Sequence, residues 1–453
     1  MATKLDPTAA SFHPSVAEPL ELVTPLLADD DKPPASFGHL PVELKDQIVA
    51  EVINLDRDRK QETRAAFVAS VTVGFFARRK VIKLEERHND RAKHRVLSRL
   101  QAVDRELRDI CAPQLWRHID AEKVRPEAFP RLLDVLPEHA ASVRRLETVG
   151  SFLEHRASPE ERALYLETNQ CLGRVVHLCE NLEQLHLGNP QLNPLLPFHF
   201  PRLRILSIHS PHSFWRKPHV SEHETFLVGL SGLTSLDLYV DGTALYKCEA
   251  LKVVDVLIGL PGLKNLKLRG DAVLRDEVLE ACTEVAPSAL PALESLEIVQ
   301  DGNLLGFGTL HAFVTTFAAS LKELHLNVFP DSGDSSDDDS DFDVEYRLPH
   351  LTALSLATGC DEGLFPAFSS PSTPIVHFTF GIPVDREHYG LVRTFLGSHA
   401  STLKTLYLSK SSVQSGPRMC DMVKTFCESL GIEVACAGEE EKLVGVGAQG
   451  RRA

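Results

Sequence analysis

Leu233-Thr234-Ser235-Leu236-Asp237-Leu238 and Leu263-Lys264-Asn265-Leu266-Lys267-Leu268 share one spelling, L-x-x-L-x-L, and their first leucines are 30 residues apart. The string recurs before and after them: LEQLHL from Leu182, LRILSI from Leu203, LESLEI from Leu293, LKELHL from Leu321, LTALSL from Leu351, IVHFTF from Ile375 and LKTLYL from Leu403. Successive starts lie 21, 30, 30, 30, 28, 30, 24 and 28 residues apart. A fixed period of this size is the mark of a stacked repeat, and it outranks any local motif. A weaker copy, Val143 to Leu146, opens the series, and Gly431-Ile432-Glu433-Val434 reads as a closing strand.

Alternation of apolar and polar residues within each string is the pattern of a strand with one buried face. The stretches before the strings have helical spacing instead. Leu310, Phe313, Val314 and Phe317 precede LKELHL, and Leu391, Val392, Phe395 and Leu396 precede LKTLYL. One strand and one helix per unit cannot bury an apolar edge alone, so neighbours must stack. The expected class is α/β, a curved parallel sheet with helices outside it.

These residues and spacings resemble leucine-rich-repeat proteins of the longer, 28-to-30-residue type, over roughly two-thirds of the chain. The family's ninth motif position, usually Asn or Cys, holds Pro190, Pro211, Asp241, Asp271, Asp301, Phe329, Gly359 and Ser411 here. An Asp accepts backbone N–H groups at such a turn but cannot donate as an amide does, so any ladder through these positions is weaker. They also read simply as turn residues.

Ahead of the array, His39-Leu40-Pro41-Val42-Glu43-Leu44-Lys45-Asp46-Gln47-Ile48-Val49 places Pro at a helix start, where its missing N–H costs little. Leu40, Leu44, Ile48 and Val52 then fall on one apolar face. LPxEL resembles the opening of an F-box, the helical module that docks onto the Skp adaptor of cullin-RING ubiquitin ligases. Val96 to Arg117 is similar to the back half of that module, with Val103, Leu107 and the ending Pro113-Gln114-Leu115-Trp116. A second alignment takes Ala65 to Phe76, with Val71 and Phe75, as the inner helix. The resemblance implies adaptor contacts at Leu40, Pro41, Leu44, Ile48, Val103 and Leu107, with a cullin scaffold beyond the adaptor.

The resulting plan has residues 1–36 as a disordered, proline-rich tail, 37–120 as the all-α head, 121–436 as the repeat solenoid and 437–453 as a flexible tail. Residues 54–95 insert into the head with twelve Lys and Arg against six acids. Asp331 to Glu345 (DSGDSSDDDSDFDVE) carries eight acids and no cation, too much like charge for a compact fold. Ser335, Ser336 and Ser340 each have an acid three residues on, the pattern acidophilic kinases prefer, and the loop reads equally as a solubilising one.

Composition narrows the function. The chain has 453 residues, 48 Lys and Arg, 63 Asp and Glu, and a net charge of −15. That balance argues against nucleic acid as the main partner. No apolar run reaches membrane-span length and the N-terminus lacks a secretion pattern, so the expectation is a cytoplasmic or nuclear protein. The nine cysteines form no C-x-x-C pair and read as free thiols. No nucleophile elbow, P-loop, H-E-x-x-H or dinucleotide fingerprint occurs, and His209, His212, His219 and His223 lack a consistent metal-ligand set. The expectation is a binding protein without catalytic residue, metal or cofactor. As an F-box/leucine-rich-repeat receptor it presents a target to a ubiquitin ligase; the alternative is a repeat scaffold or GTPase regulator.

Strand geometry sends motif positions five and seven away from the buried leucines. His209, Tyr239, Lys267 and Arg269 then form a patch across three repeats, suited to an acidic or phosphorylated peptide. In the competing arrangement, Asp237 and Glu297 neutralise the two cations across neighbouring strands.

Overall fold

The computed structural model describes residues 41–45, 47–50, 97, 105–121, 124, 128–147, 171–188, 200–210, 230–240, 257, 259–270, 273–300, 305–328, 330–331, 345–357, 364–381, 386–408 and 417–436. In chain order the elements are α1 (Arg105–Leu115), β1 (His118–Asp120), α2 (Phe129–His139), β2 (Arg145–Glu147), β3 (Gln184–Gly188), β4 (Ile205–Ser210), β5 (Ser235–Val240) and β6 (Asn265–Arg269). Then come α3 (Asp276–Ala289), β7 (Ser295–Val299), β8 (Leu305–Gly306), α4 (Phe307–Thr315), β9 (Glu323–Asn327), β10 (Pro330–Asp331) and β11 (Ala353–Leu356). The chain closes with α5 (Leu364–Ala367), β12 (His377–Phe380), α6 (Arg386–Ser398), β13 (Thr405–Leu408), α7 (Pro417–Ser429) and β14 (Glu433–Cys436).

All nine repeat strings carry a strand, and so do the weak opening copy and the closing segment. Twelve strands form one parallel sheet in the order β1-β2-β3-β4-β5-β6-β7-β9-β11-β12-β13-β14, an α/β solenoid-like arrangement. Strands taken in sequence order are a sheet that grows by one unit per repeat, with crossovers between them. The register locks the leucines together: Leu236 pairs with Leu206 on one side and Leu266 on the other, and Leu238 with Ile208 and Leu268. Each of these is at most 1% exposed. Burial of one such side chain is worth about 1.5–3 kcal/mol, so the sheet's inner face is the dominant favourable contribution in every repeat.

Helices close the other side of this core. Leu310, Phe313 and Val314 of α4 and Val392, Phe395 and Leu396 of α6 are all buried in the same continuous cluster as the strand leucines. Towards the C-terminus aromatics replace leucine. Phe365, Phe378, Phe380 and Phe395 interlock, with centroid separations from 4.5 Å for Phe378–Phe395 to 6.3 Å for Phe365–Phe378. Turns complete the repeats, and Gly270 supports one at φ 88°, which a side chain would disfavour.

Three expectations change. The array begins three residues earlier than a boundary at 121 allows, because His118–Asp120 pairs with Arg145–Glu147 as the first strand. The head's P-x-L-W ending therefore leads straight into the sheet, with Trp116 packed partly against the main core and stacked on His139 at 4.8 Å. In the head, residues 42–45 and 47–50 are helical, but Lys45 and Val49 turn inward while Val42 and Leu44 are 44% and 43% exposed. The cause is a small cluster of Val49, Leu97, Leu107 and Cys111, which takes the helix face one residue on from the expected one.

The ends of the acidic segment are also built into the fold. Asp331 lies in β10, which pairs with β8, and Tyr346 is fully buried, its ring stacked on Phe368 at 4.2 Å and its N–H donating to the Ala367 carbonyl at 2.8 Å. Residues 332–344, with Ser335, Ser336 and Ser340, lie outside the described residues. So do the tails 1–36 and 437–453, the insertion 54–95, Leu40, Val52, Val103 and the turn residues Asp241, Asp271 and Asp301. No described helix is long and apolar enough to cross a membrane.

Candidate functional site

Because side chains alternate along a strand, the residues between the leucines share the sheet's second, polar face. Register sets them in rows. One runs Asp237, Lys267, Glu297, His325, and a second runs His209, Tyr239, Arg269 on β4, β5 and β6. The four residues expected from sequence are therefore neighbours, on the face expected of them.

The charges on this face are already partnered. Arg269 donates to both oxygens of Asp237, from Nη2 at 2.9 Å to each and from Nε to Oδ1 at 3.1 Å. Lys267 forms an ion pair with Glu297. Cross-strand neutralisation is thus the arrangement present, and an acidic ligand at Arg269 must displace Asp237.

Around the Arg269–Asp237 pair the polar contacts continue. Ser207 Oγ lies 3.0 Å from His209 Nε2 and donates to Asp237 Oδ2 at 3.4 Å. Arg269 Nη2 lies against the same His209 nitrogen. The Arg269 guanidinium sits 5.5 Å from the Tyr239 ring centre, and His209 meets that ring edge-on at 6.0 Å. Burial alone would push the Asp237 carboxyl up, but the His209 hydrogen bond and the charges of Arg269, His209 and Lys267 outweigh it, and the group is held below its usual range.

Neither a nucleophile nor a general base emerges from this set. Ser207 faces the one His209 nitrogen that Arg269 also occupies, and Asp237 approaches that same nitrogen, at 3.6 Å, rather than orienting the ring from its other side. A serine triad needs the base gripped at Nδ1 by the acid and free at Nε2 for the serine. Among the described residues no group of His, Cys, Asp and Glu is placed to hold a metal ion.

Sequence reasoning named two rows and missed how far the polar contacts run. Motif position three also joins this face. His377 at that position meets Thr405 of the next strand at 2.6 Å. His325 at position five meets Ser355 at 2.7 Å and is pushed down to about 4, chiefly by burial and further by Lys267, against the pull of Glu297. At the first strands His118 and Arg145 face Glu147. The contact with His118, assisted by Arg145, overcomes burial and brings Glu147 down to about 2. The signal was available in the recurrence of His and Ser or Thr at equivalent positions of adjacent repeats.

In the head, the expected adaptor contacts separate into two sets. Pro41 and Leu44 are exposed and Ile48 is half-buried, whereas Leu107 is 0% exposed inside the head cluster. Leu107 has no surface to offer a partner in this arrangement, because its side chain packs against Val49, Leu97 and Cys111. Val42, not named from the sequence, lies on the same exposed stretch as Leu44. No family model and no curated protein matches this sequence.

Proposed function

We propose that the chain is a non-catalytic substrate receptor of an SCF-type cullin-RING ubiquitin ligase, an F-box/leucine-rich-repeat protein working in the cytoplasm or nucleus. Its head holds the Skp adaptor, its repeat array holds a target protein, and other subunits perform the transfer. The observation that carries this reading is the pair of apolar side chains, Val42 and Leu44, left on the surface of the helix that opens the head. Together with the LPxEL opening they support a helix end that faces a partner. The repeat spacing and the stacked strands support the second half of the reading, since such arrays offer long faces for protein recognition. A receptor of this kind acts by effective concentration, converting an encounter between target lysine and ubiquitin carrier into an intramolecular event.

Co-purification of the full chain with recombinant Skp adaptor tests the proposal. The parent should retain the adaptor, and Val42→Asp with Leu44→Asp should lose it while keeping the parent's circular dichroism spectrum. A parent chain that fails to bind returns the reading to a repeat scaffold without ligase association. A double variant that binds as well as the parent removes this helix from the interface.

A further inference from the structure

Motif position two, just before each strand, forms its own line across the sheet. The Arg204 carbonyl accepts from Thr234 N–H, Thr234 from Lys264, Lys264 from Glu294 and Glu294 from Lys322, each at 2.8–2.9 Å. One residue per strand therefore stands at this edge, about 4.8 Å from the next. The edge carries Arg117, Arg144, Arg204, Lys264, Lys322 and Lys404, against only Glu183 and Glu294 among its described members. Five of these six cations are exposed, Arg144 being half-buried. In a chain whose net charge is −15, this is a segregated positive line.

Its spacing is as particular as its sign. Arg144, Arg204, Lys264 and Lys322 occupy every second strand, with Glu183, Thr234 and Glu294 between them, so successive cations stand roughly 9.6 Å apart. A polyproline II segment advances about 3.1 Å per residue with three residues per turn, which brings every third side chain back to one face after about 9.3 Å. The acids now on the line do not close it to a ligand. Glu294 is shared between Lys264 at 3.7 Å and Lys322 at 3.4 Å, at the surface where such pairs contribute little, and Glu183 meets the half-buried Arg144 at 3.4 Å.

We propose that this strand edge is a docking surface for an extended acidic polypeptide segment with a carboxylate at every third residue, lying across β2 to β9. The surface is separate from the Arg269–Asp237 cluster and from the head, and it does not depend on adaptor binding. Charge complementarity selects the segment, and the two-strand period selects its spacing over a segment with the same charges bunched together.

Fluorescence anisotropy with the full chain tests this at low salt. The probes are a labelled peptide of five Glu-Pro-Pro triplets, an isomer with its glutamates contiguous and its prolines following, and a labelled oligothymidylate. The triplet peptide should bind about tenfold or more tightly than its isomer, and added salt should weaken it. Arg204→Glu, Lys264→Glu and Lys322→Glu together should abolish that preference. The control triple Arg131→Glu, Arg174→Glu, Arg418→Glu, equal in charge and exposed elsewhere, should retain it. Equal binding of the two peptides, equal loss in both triples, or tighter binding of the oligonucleotide than of the triplet peptide would each overturn the proposal.

Discussion

Thr373 is where a single atom holds a long excursion of the chain. It is 0% exposed, and its Oγ1 donates to the Tyr346 carbonyl at 2.9 Å while accepting from Leu348 N–H at 3.2 Å. Tyr346 to Leu348 is the stretch by which the chain returns to the array after the acidic segment. Thr373→Val keeps the shape and deletes only the hydroxyl, leaving one backbone donor and one backbone acceptor buried without it. Each costs about 1–3 kcal/mol, and removal of the buried hydroxyl itself offsets part of this, so the net loss should be about 2–4 kcal/mol. Thr373→Ser keeps both hydrogen bonds and loses a methyl group, at about 1 kcal/mol. The diagnostic is therefore an order: valine should be worse than serine, the reverse of what apolar burial alone would give. Urea unfolding supplies the midpoints, and amide hydrogen exchange at Leu348 reports the local effect, because repeat arrays open unit by unit. If the valine variant matches the parent in both midpoint and Leu348 protection, the hydroxyl clamp contributes nothing and the reasoning fails.

Deleting Ser335 to Asp341, half of the fourteen residues between Asp331 and Tyr346, should leave the thermal midpoint near the parent's, since halving a loop changes closure entropy by only about 0.6 kcal/mol; Tyr346→Ala should lower it sharply, removing a ring stacked on Phe368. Gly381→Ala should destabilise by about 1–3 kcal/mol, because a Cβ there would lie 2.8 Å from the Ala357 Cα and 3.2 Å from the Leu356 carbonyl oxygen, both backbone; calorimetry checks it. Burial lowers the His325 pKa to about 4 and also lowers that of His399, whose Nε2 meets the Phe368 carbonyl at 2.7 Å. Below pH 6.5 the unfolded chain takes up protons that these folded sites refuse, so stability should fall as pH drops from 7 towards 4, by about 2 kcal/mol at pH 5 from His325 alone. His325→Asn should flatten that slope in thermal melts, and an unchanged slope would mean that His325 is protonated in the fold.

The array was legible because its information is repeated. Nine copies of a string with two or three buried positions each leave little freedom in strand placement, and the inner leucines, from Leu182 to Leu408, are buried as the alternation requires. The weak copy at Val143 was found for the same reason. His118–Asp120 was not, since His-Ile-Asp offers one apolar residue and no string around it. It pairs because the strand after it presents an unpaired edge, which is tertiary information. The buried face of the head's opening helix was missed at a similar scale. Leu44 and Val49 are both apolar and one residue from facing the same way, so a face drawn through Leu40, Leu44 and Ile48 and one drawn through Lys45 and Val49 fit the same eight or nine residues; the latter was chosen by Leu97, Leu107 and Cys111, which are distant in sequence.

On the polar face, sequence gave adjacency without pairing. That His209, Tyr239, Lys267 and Arg269 would meet followed from the period alone, but which acid each cation reaches depends on side-chain length and direction. Arg269 spans diagonally to Asp237 on β5, two rungs of the motif away, while the shorter-armed Lys267 meets Glu297 directly opposite on β7. Those two choices turn a cationic patch into a neutral one. The edge at motif position two is neutralised only in part: its six cations meet two acids among the described residues, Glu183 beside Arg144 and Glu294 between Lys264 and Lys322. Attraction for an acidic chain is therefore expected where the strands begin, not across the middle of the sheet.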